Sequence, residues 1–581
     1  MNFKLIKKLL IFLIIFLLNL SIFPIRSYSA EKTSASITIQ NEEKSLETNK
    51  DKTSKDGKNS DKNIETDYEK DTENENEENK EEFIEHGFKD IDGKTYYIVN
   101  NEILKKTGWF YEKDENKDLD AESDEYNYKY YLNDDHSLVK GWKDIDGNWY
   151  FFNANGVLQT GWFANNRWYY ADKYGVMQTG WKDIDGYTYH FDKYGQMAVQ
   201  KNLIDGIWYF FNDKGQLQNG FYEYNGKTYY SDDNNEMLFD KWIEKTNGQY
   251  YIKSDGSIAT GLLYLDDLLY TFNDDGILQN ISSTIDKDIL TVTSLNVGTA
   301  DCHYIKLPDG KVALIDTGDV STVDKLLSFL KSQNLKKKDG KPFIDYIVLT
   351  HPHSDHIGGI SALIDNFTIG KLFIPDSFYD MKDWTIGVAE TESNKEELSL
   401  LKTDYKVYKD AIDKIKKNDI DVLNTESGSY VDDEKILQFV NSNNDFTNEG
   451  TLDRISEKYW ALNDNSDIVY LKYGDLDELF TGDIQWNAEK DFFDNKRLGD
   501  SCSIDVLKAP HHGIDTSSSY EFVSYLNPSI VVVPRKDDIP KHSNPDDVYN
   551  TLGVRRYYTY SNPNGITINA TKDNWTVYLK N

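Results

Sequence analysis

Between residues 83 and 281, aromatic and polar residues follow a unit that recurs about every twenty residues, as in "GWKDIDGNWYFFNANGVLQT" (141–160). Each copy has two short runs of alternating aromatic and polar residues around a turn such as "DIDG", which predicts a β-hairpin. A lone hairpin is not stable in water, so neighbouring hairpins must stack and bury their rings. The segment is therefore predicted to be a β-hairpin solenoid.

Residues 288–581 show a different pattern, with short apolar runs that each end in a polar cluster. Runs such as "KVALIDTG", "DYIVLTH" and "SIVVVPR" predict buried strands, and "STVDKLLSFLKSQN" has the spacing of an amphipathic helix. Strands and helices in alternation indicate an α/β domain. We therefore predict two folded domains, the repeats at 83–281 and the α/β domain at 288–581.

The N-terminal region has the pattern of an exported protein. Lysines precede the apolar run "LLIFLIIFLLNLSIF" and the small residues "SYSA", which together predict a secretory signal peptide at 1–30. Residues 31–82 are rich in Lys, Glu, Asp, Asn, Ser and Thr and predict a disordered linker. Since no later apolar run is long enough to span a bilayer, we expect a secreted protein without a membrane span after cleavage.

The net charge of the chain indicates which classes of molecule it could bind. The formal net charge is −34 and the pI is near 4.7. A surface this acidic repels phosphate backbones, so nucleic acid is not an expected partner. A cationic or cell-wall-associated ligand fits this charge better.

Metal-ligating residues are densest in "HPHSDHIGG", directly after the apolar run that ends at Leu349. His351 and His353 are two residues apart, so both side chains point the same way in an extended backbone. Asp355 and His356 follow after a turn and can reach a second position nearby. Two imidazoles for one ion, with a carboxylate and an imidazole for the next, are ligands that Zn²⁺ favours.

This cluster matches the His-x-His-x-Asp-His signature of the metallo-β-lactamase superfamily, which the chain resembles over nearly all of residues 288–581. Three further motifs, "LIDTG", "FTGD" and "APHHG", occur in the family's order. The resemblance implies an αββα sandwich with two divalent metal ions, usually zinc, at one edge. The implied metal ligands are His351, His353, Asp355, His356, Asp483 and His512.

The same resemblance suggests roles around these ligands. Asp355 and Asp483 would also orient a water activated by the metals. His511 would hydrogen-bond a phosphoryl oxygen or protonate the leaving group, with His512 as the ligand of the pair. The residues expected to support the site or to contact the substrate are Asp301, Asp316, Asn465 and His542.

One feature departs from the family pattern. Many members have another histidine ligand between the first motif and the bridging aspartate, but no histidine occurs between His356 and His511. The segment before "FTGD" reads "LNDNSDIVYLKYG", where Asn463, Asn465 or Ser466 could line the first metal position, as could water. Metals other than zinc become possible there.

The hairpin units resemble the choline-binding or cell-wall-binding repeats of Gram-positive surface proteins, on the pattern Gly-Trp, turn Gly, and Trp-Tyr-Tyr/Phe. In that family a choline head lies in an aromatic cage between repeats, where a quaternary ammonium gains a cation–π interaction. Related repeats bind glycans, and the rings could also serve only to build the solenoid. The residues that could form cages here are Trp142, Trp149, Trp162, Trp168, Tyr169, Met177 and Trp181.

Within the superfamily, "LNVGTADCHYIKLPDGKVALIDTGD" and "HHG" look most like the hydrolase domains of competence DNA-uptake proteins and of secreted phosphorylcholine esterases. The latter carry choline-binding repeats after the hydrolase, whereas here the repeats precede it. We expect a wall-attached phosphodiesterase that acts on choline-bearing teichoic acid or another wall polymer. The alternatives are another hydrolase of this fold, such as a nuclease, lactonase or β-lactamase, and an adhesin with a degenerate hydrolase domain.

Overall fold

The structure is a computed structural model that describes residues 86–112, 128–283, 288–383, 390, 395–442, 455–500, 502–535 and 544–579. Residues 83–581 form one compact unit. The predicted signal peptide, the linker and His542 lie outside the described residues. The domain boundaries also stay predictions.

Consecutive antiparallel hairpins make up the described part of the N-terminal half, each in a small sheet of its own. Their strands are β1 (Gly87–Ile91), β2 (Lys94–Val99), β3 (Glu102–Ile103), β4 (Gly108–Glu112), β5 (Tyr128–Leu132), β6 (Gly141–Ile145), β7 (Asn148–Phe152), β8 (Gly161–Asn165), β9 (Arg167–Ala171), β10 (Gly180–Ile184), β11 (Tyr187–Phe191), β12 (Gln200–Ile204), β13 (Ile207–Phe211), β14 (Gly220–Tyr224), β15 (Lys227–Ser231), β16 (Lys241–Lys245), β17 (Gly248–Ile252), β18 (Gly261–Leu265), β19 (Leu268–Phe272) and β20 (Leu278–Ser282).

Turn chemistry sets each hairpin. Between β6 and β7, Asp146 and Gly147 both have positive φ (55° and 80°), the backbone of a two-residue type I′ turn. Neighbouring hairpins then stack through backbone hydrogen bonds and through contacts between aromatic rings. The Met177 N–H donates to the Trp149 carbonyl oxygen of the preceding hairpin over 2.9 Å. Stacking by these contacts confirms the solenoid prediction.

The C-terminal half contains two mixed β-sheets. The first has the order β27-β26-β25-β23-β22-β21-β34-β35, with β24 paired to β25, and the second has the order β28-β29-β30-β31-β32-β33. The strands of the first sheet are β21 (Leu290–Ser294), β22 (His303–Lys306), β23 (Val312–Ile315), β24 (Lys337–Lys338), β25 (Lys341–Val348), β26 (Thr368–Ile374), β27 (Val422–Asn424), β34 (Ile566–Ala570) and β35 (Trp575–Tyr578). Those of the second are β28 (Leu437–Asn441), β29 (Ile468–Tyr473), β30 (Leu476–Phe480), β31 (Val506–Lys508), β32 (Ile530–Val533) and β33 (Arg555–Tyr558).

Helices cover the outer faces of both sheets. The described α-helices are α1 (Val323–Ser332), α2 (Ser354–Ile357), α3 (Ile360–Asn366), α4 (Lys395–Lys417), α5 (Ile455–Asp464), α6 (Trp486–Asp494), α7 (Tyr520–Leu526) and α8 (Asn544–Thr551). Short 3-10 helices lie at Val320–Thr322, Asp376–Asp380, Pro510–Gly513 and Thr559–Ser561. Among the described helices, we find none that combines the length and the apolar character needed to cross a membrane.

Three apolar layers hold this sandwich together. In β23, Leu314 packs among the residues of α1, α3 and α4, whereas Ala313 and Ile315 face the second sheet. The outer face of the second sheet packs against α6, α7 and α8. Because both faces of such strands are buried, the sequence shows unbroken apolar runs there. This is the predicted αββα sandwich.

A carboxylic acid lies inside the layer between the two sheets. Glu478 in β30 is fully buried, lies opposite Leu471, and neither carboxyl oxygen has a hydrogen-bond partner. Burial raises the pKa of Glu478 to about 8. The folded protein therefore keeps this proton at pH 7, where the unfolded chain has lost it.

Stability should fall as pH rises from about 4.5 to about 8, because the folded state binds more protons than the unfolded state in that window. We expect Glu478→Gln to unfold at nearly the wild-type urea concentration at pH 5. At pH 8 the variant should be more stable than the wild type by about 3–4 kcal/mol. The exposed Glu434→Gln serves as control. Equal pH dependence in both variants would contradict the interpretation.

Candidate metal centre and aromatic cages

The polar motifs meet at one edge of the sandwich because parallel strands end there side by side. β23 pairs in parallel with β25, and β30 pairs in parallel with β31. Each strand is followed directly by part of the cluster, since the carboxyl ends of parallel strands share one edge. The segments that follow carry Asp316, His351, Asp483 and the pair His511 and His512.

Two imidazoles and two carboxylates define one position, which we call the second metal position. The Nε2 atom of His356 lies 3.1 Å from Asp483 Oδ2. The Nε2 atom of His512 lies 3.1 Å from the same oxygen and 3.2 Å from Asp355 Oδ2. The Nε2 atoms of both imidazoles therefore point at one carboxylate oxygen, as donors around a shared cation do. These donor types fit a divalent metal such as zinc.

The Nδ1 atoms of His356 and His512, on the side of each ring opposite the second metal position, each lie against a buried carboxylate. His356 Nδ1 lies 2.7 Å from Asp316 Oδ2, and His512 Nδ1 lies 3.1 Å from Asp301 Oδ1. Burial lowers the pKa of His356, but the Asp483 and Asp316 carboxylates raise it well above its ordinary value. Carboxylates at Nδ1 fix both rings with Nε2 towards the second position, as in many metal sites.

His351 and His353 are the residues expected at the first metal position, and they lie next to each other in the structure. His351 Nε2 and His353 Nδ1 lie 3.1 Å apart, while His353 Nε2 is 3.2 Å from the carbonyl oxygen of Tyr459. That carbonyl accepts the N–H of His353, so its Nδ1 lone pair faces His351. Burial, together with the neighbouring His356 and His353, lowers the pKa of His351 well below its ordinary value. Two neutral nitrogens that converge in this way suit a shared cation.

The two positions lie side by side. The ring centroids of His351 and His356 are 4.1 Å apart. The donor atoms of Asp301, His356, Asp483 and His512 all lie within 4.8 Å of one another. Asp301 reaches this group from the Nδ1 side of His512, so we interpret it as an orienting residue. The cluster could thus hold a metal, and its donors extend over two adjacent positions.

Lys508 is a site residue that sequence reasoning missed. Its side chain is 1% exposed, and its ammonium group forms an ion pair with Asp301, lies 3.2 Å from Asp483 Oδ1 and donates to the Gly482 carbonyl oxygen over 2.5 Å. Burial lowers the pKa of Lys508, but the two carboxylates raise it above its ordinary value. The available signal was a lysine at the end of a buried strand, three residues before the histidine pair.

The two neighbouring histidines have different surroundings. His511 and His512 both adopt a left-handed backbone (φ 44° and 53°), and their ring centroids are 6.2 Å apart. His511 Nδ1 lies 2.6 Å from Thr516 Oγ1, and its Nε2 is 4.0 Å from Asp483 Oδ2. Burial lowers the pKa of His511 to about 4, so the ring is neutral at pH 7. Of the two histidines, His512 is therefore the one whose Nε2 lies among the carboxylates of the second metal position.

The segment that replaces the missing histidine contributes a hydroxyl. Ser466 Oγ lies 3.2 Å from His351 Nδ1 and accepts the Asp483 N–H over 3.0 Å. Asn463 Nδ2 contacts His511 Nε2 at 3.2 Å. The side chain of Asn465 is buried. The backbone carbonyl oxygen of Asn465 accepts a hydrogen bond from Ser377 Oγ. Among the three proposed residues, Ser466 is thus the one that touches a histidine of the first position.

Two neighbouring inter-repeat sites have a complete set of aromatic walls, and we call them the aromatic cages. In the first, Trp142 and Trp149 lie on the same face of hairpin β6–β7, because Trp142 is opposite Phe151 and Asp144 is opposite Trp149. Tyr169 of the next hairpin packs with its ring centroid 4.9 Å from Trp142, and Met177 packs beside them. The second cage repeats this arrangement with Trp162, Trp168, Tyr189 and Met197.

Solvent reaches both cages. Trp149 and Trp168 are 46% and 51% exposed, so the face of each ring is open to a ligand. Trp181 contacts Tyr209 at 4.9 Å, but Thr188 occupies the place of the second tryptophan on its hairpin. The structure thus adds Tyr189 and Met197 to the proposed set and leaves Trp181 in an incomplete site.

Family models match both the C-terminal α/β region and the hairpin repeats. Residues 295–534 match the family model of the metallo-beta-lactamase superfamily, residues 139–177 match a choline-binding repeat, and residues 202–217 match a putative cell wall binding repeat. The chain therefore combines a region that matches the metallo-β-lactamase superfamily with repeats that match choline-binding and cell-wall-binding models.

The metallo-β-lactamase domain is also similar to a curated protein, "ComE operon protein 3" of Bacillus subtilis, with 23% identity over 261 residues. The match covers 42% of this chain and 28% of that relative, so the chain spans little more than a quarter of its length. This agrees with the resemblance to the competence-protein branch.

The chain is also similar to solved structures of Streptococcus pneumoniae proteins. CbpJ is 25% identical, with coverage of 34% of this chain and 73% of that one and a TM-score of 0.29. The modular autolysin LytC is 15% identical, with coverage of 58% and 76% and a TM-score of 0.28. The choline binding domain of Spr1274 is 38% identical over 14% of this chain and 95% of that one, with a TM-score of 0.13.

Replacing His512 by alanine in the metallo-β-lactamase domain should weaken metal binding by at least about tenfold, because one ligand of the second position is lost. His511→Ala should keep the wild-type metal content. Metal bound per chain, measured by elemental mass spectrometry after dialysis against buffered zinc, distinguishes the two. Equal losses in both variants, or a loss confined to His511→Ala, would overturn the assignment.

Proposed function

We propose that this protein is a secreted, wall-attached phosphodiesterase that releases phosphorylcholine from choline-bearing teichoic acid. The observation that carries the proposal is the presence of both parts in one compact unit, the aromatic cages and the buried His/Asp cluster. The cages would hold a polymer whose choline esters the cluster hydrolyses. Two weak sites on one polymer also gain avidity from effective concentration.

The donors fit two divalent cations, with His351 and His353 at the first position and Asp355, His356 and His512 at the second. Asp483 would bridge them, since it lies against the ligands of the second position and Ser466 anchors its backbone beside the first. Bound there, the cations would neutralise charge on the substrate oxygens and activate a water.

The chain's own residues prepare this geometry. Lys508 contacts both Asp483 and Asp301, so it balances two buried carboxylates and restrains the bridging one. Asp355 has a side chain 34% exposed, so it faces the substrate side and can orient the attacking water. A charge held in place before the reaction needs no reorganisation during it.

His511 is assigned to the substrate rather than to a metal. Its low pKa of about 4, caused mainly by burial, keeps the ring neutral at pH 7. Thr516 Oγ1 lies 2.6 Å from Nδ1 and Asn463 Nδ2 lies 3.2 Å from Nε2, so these two side chains hold the neutral ring in place beside the cluster. We therefore propose hydrogen bonding to the phosphoryl group as its role.

Other functions on the same fold have less support. A nuclease is disfavoured because the net charge of −34 repels a polyanion whose phosphates carry no choline to balance them. The lactonase and β-lactamase alternatives leave the aromatic cages without a role. An adhesin with a degenerate hydrolase domain would not need a buried cluster of five histidines and three aspartates in which imidazole nitrogens converge.

The zinc-loaded full chain should release p-nitrophenol from its phosphorylcholine ester. His512→Ala should lower kcat/KM by at least about a hundredfold, because the second position loses a ligand. His136→Ala, in the repeats, should leave the rate unchanged.

Turnover of bis-p-nitrophenyl phosphate or of a lactone without turnover of the phosphorylcholine ester would favour another hydrolase. Fewer than one metal ion bound per chain in excess zinc, together with no turnover of any ester, would favour the adhesin.

Choline should bind the aromatic cages. We expect the wild-type chain to be retained on a choline column and eluted by free choline. The double variant with Trp149→Ala and Trp168→Ala should bind choline about five- to thirtyfold more weakly at each site, because a cation–π wall is lost. Trp486→Ala, an equally exposed tryptophan of the metallo-β-lactamase domain, is the matched control. Unchanged retention of the double variant would contradict the assignment.

A further inference from the structure

The aromatic cages belong to a repeating arrangement that is broken at one place. The second residue of a hairpin contacts a tyrosine of the next hairpin in Trp142–Tyr169, Trp162–Tyr189, Trp181–Tyr209 and Trp242–Tyr270, with ring centroids 4.8–5.0 Å apart. In hairpin β12–β13 the equivalent residue is Lys201, opposite Phe210. In this hairpin, an ammonium group therefore takes the position of the tryptophan that forms a wall of the aromatic cages.

The other walls of this site are retained. Trp208 has the place that Trp149 has in the first cage, and the Met237 N–H donates to its carbonyl oxygen over 2.8 Å. Phe239 lies against Trp208, with ring centroids 6.2 Å apart. Because Lys201 takes the place of the tryptophan, this site lacks one of the ring faces that a choline head needs. We call Lys201, Trp208, Phe239, Asp240 and Ser254 the Lys201 socket.

The metallo-β-lactamase domain covers this socket. Gly553, between α8 and β33, lies so close that a Cβ atom on it would be 2.5 Å from the Lys201 carbonyl oxygen and 3.5 Å from the Trp208 ring. Its φ of +64° also favours glycine. No larger residue fits there without movement of the backbone, which indicates a tightly packed contact.

Arg555 supplies a cation to the socket. Its Cζ lies 4.0 Å from the centroid of Phe239, its Nη1 donates to the Ser254 carbonyl oxygen over 2.5 Å, and its Nη2 lies 3.3 Å from Asp240 Oδ2. The Tyr557 hydroxyl donates to the same Asp240 oxygen over 3.1 Å. A guanidinium with an aromatic face, a carboxylate and a carbonyl is well satisfied.

Backbone groups extend the contact on both sides of the socket. The Val577 N–H donates to Ser254 Oγ over 2.7 Å, and the Leu262 N–H donates to Asp573 Oδ2 over 2.9 Å. Both bonds join the repeats to the metallo-β-lactamase domain. These two amides therefore report directly on whether the halves are docked.

We infer that the Lys201 socket is a docking site for Arg555 of the metallo-β-lactamase domain, in place of choline, and that it holds the cages and the metal centre in one rigid unit. The hydrolase centre then lies at a constant distance from the polymer that the cages hold. Only choline esters at a matching separation along the polymer would reach it. The docking itself does not depend on the esterase proposal.

Hydrogen exchange of the full-length chain tests the docking. Arg555→Ala, and separately Asp240→Asn on the opposite side of the contact, should each speed exchange of the Leu262 and Val577 amides by at least tenfold. Exchange in β31, inside the metallo-β-lactamase domain, should stay at the wild-type rate and show that the fold is intact. Arg167→Ala, an exposed arginine of the repeats, is the matched control.

Unchanged exchange at Leu262 and Val577 in both variants would overturn the inference. So would faster exchange at these amides in the wild-type chain on addition of saturating choline, because choline would then compete with Arg555 for the socket. Esterase activity is not measured in this test, so a failure here is distinct from a failure of the proposed function.

Discussion

A buried carboxylate must be compensated by positive charge, and the metallo-β-lactamase domain is organised around one such group, Asp483. It is 2% exposed and meets His356, His512 and Lys508 within 3.2 Å. Desolvation of an unpaired carboxylate would cost several kcal/mol, so these partners are needed for the fold as well as for the chemistry. A metal at this place would take over part of the compensation that protonated imidazoles provide without it.

The repeats recognise a positive charge in a different way. The aromatic cages offer ring faces, which attract a quaternary ammonium without a buried counter-charge. They can therefore remain open to solvent, as the exposed Trp149 and Trp168 show. The Lys201 socket differs in this respect, because Arg555 has hydrogen bonds to give and meets a carboxylate and a carbonyl as well as a ring. The aromatic cages suit a cation that has no hydrogen-bond donor, whereas the Lys201 socket suits a cation that donates hydrogen bonds.

The hairpins, the buried strands and part of the metal centre can be predicted from the sequence, because each depends on residues that are close together in the chain. Asp-Gly turns predict the hairpins, and unbroken apolar runs predict strands buried on both faces. The ligands of "HPHSDH" come from one short segment. Lys508 was missed because its role depends on Asp301, which lies more than 200 positions earlier in the chain. The choice between His511 and His512 likewise depended on backbone geometry, since both residues have positive φ and their rings diverge.

The absence of a third histidine at the first position has a physical consequence. Ser466 stands beside His351 and also anchors the backbone of Asp483, so it couples the first position to the bridging carboxylate. A neutral hydroxyl is a weaker metal ligand than an imidazole, whereas its contact with His351 Nδ1 orients the ring as an outer partner does. In the proposed two-metal arrangement, the first position would rely on two imidazoles and Asp483, and its remaining coordination would be open to water or substrate. A site that is less filled by protein would bind its metal more weakly and expose more of it to a phosphoryl oxygen, as the proposed phosphodiesterase activity requires.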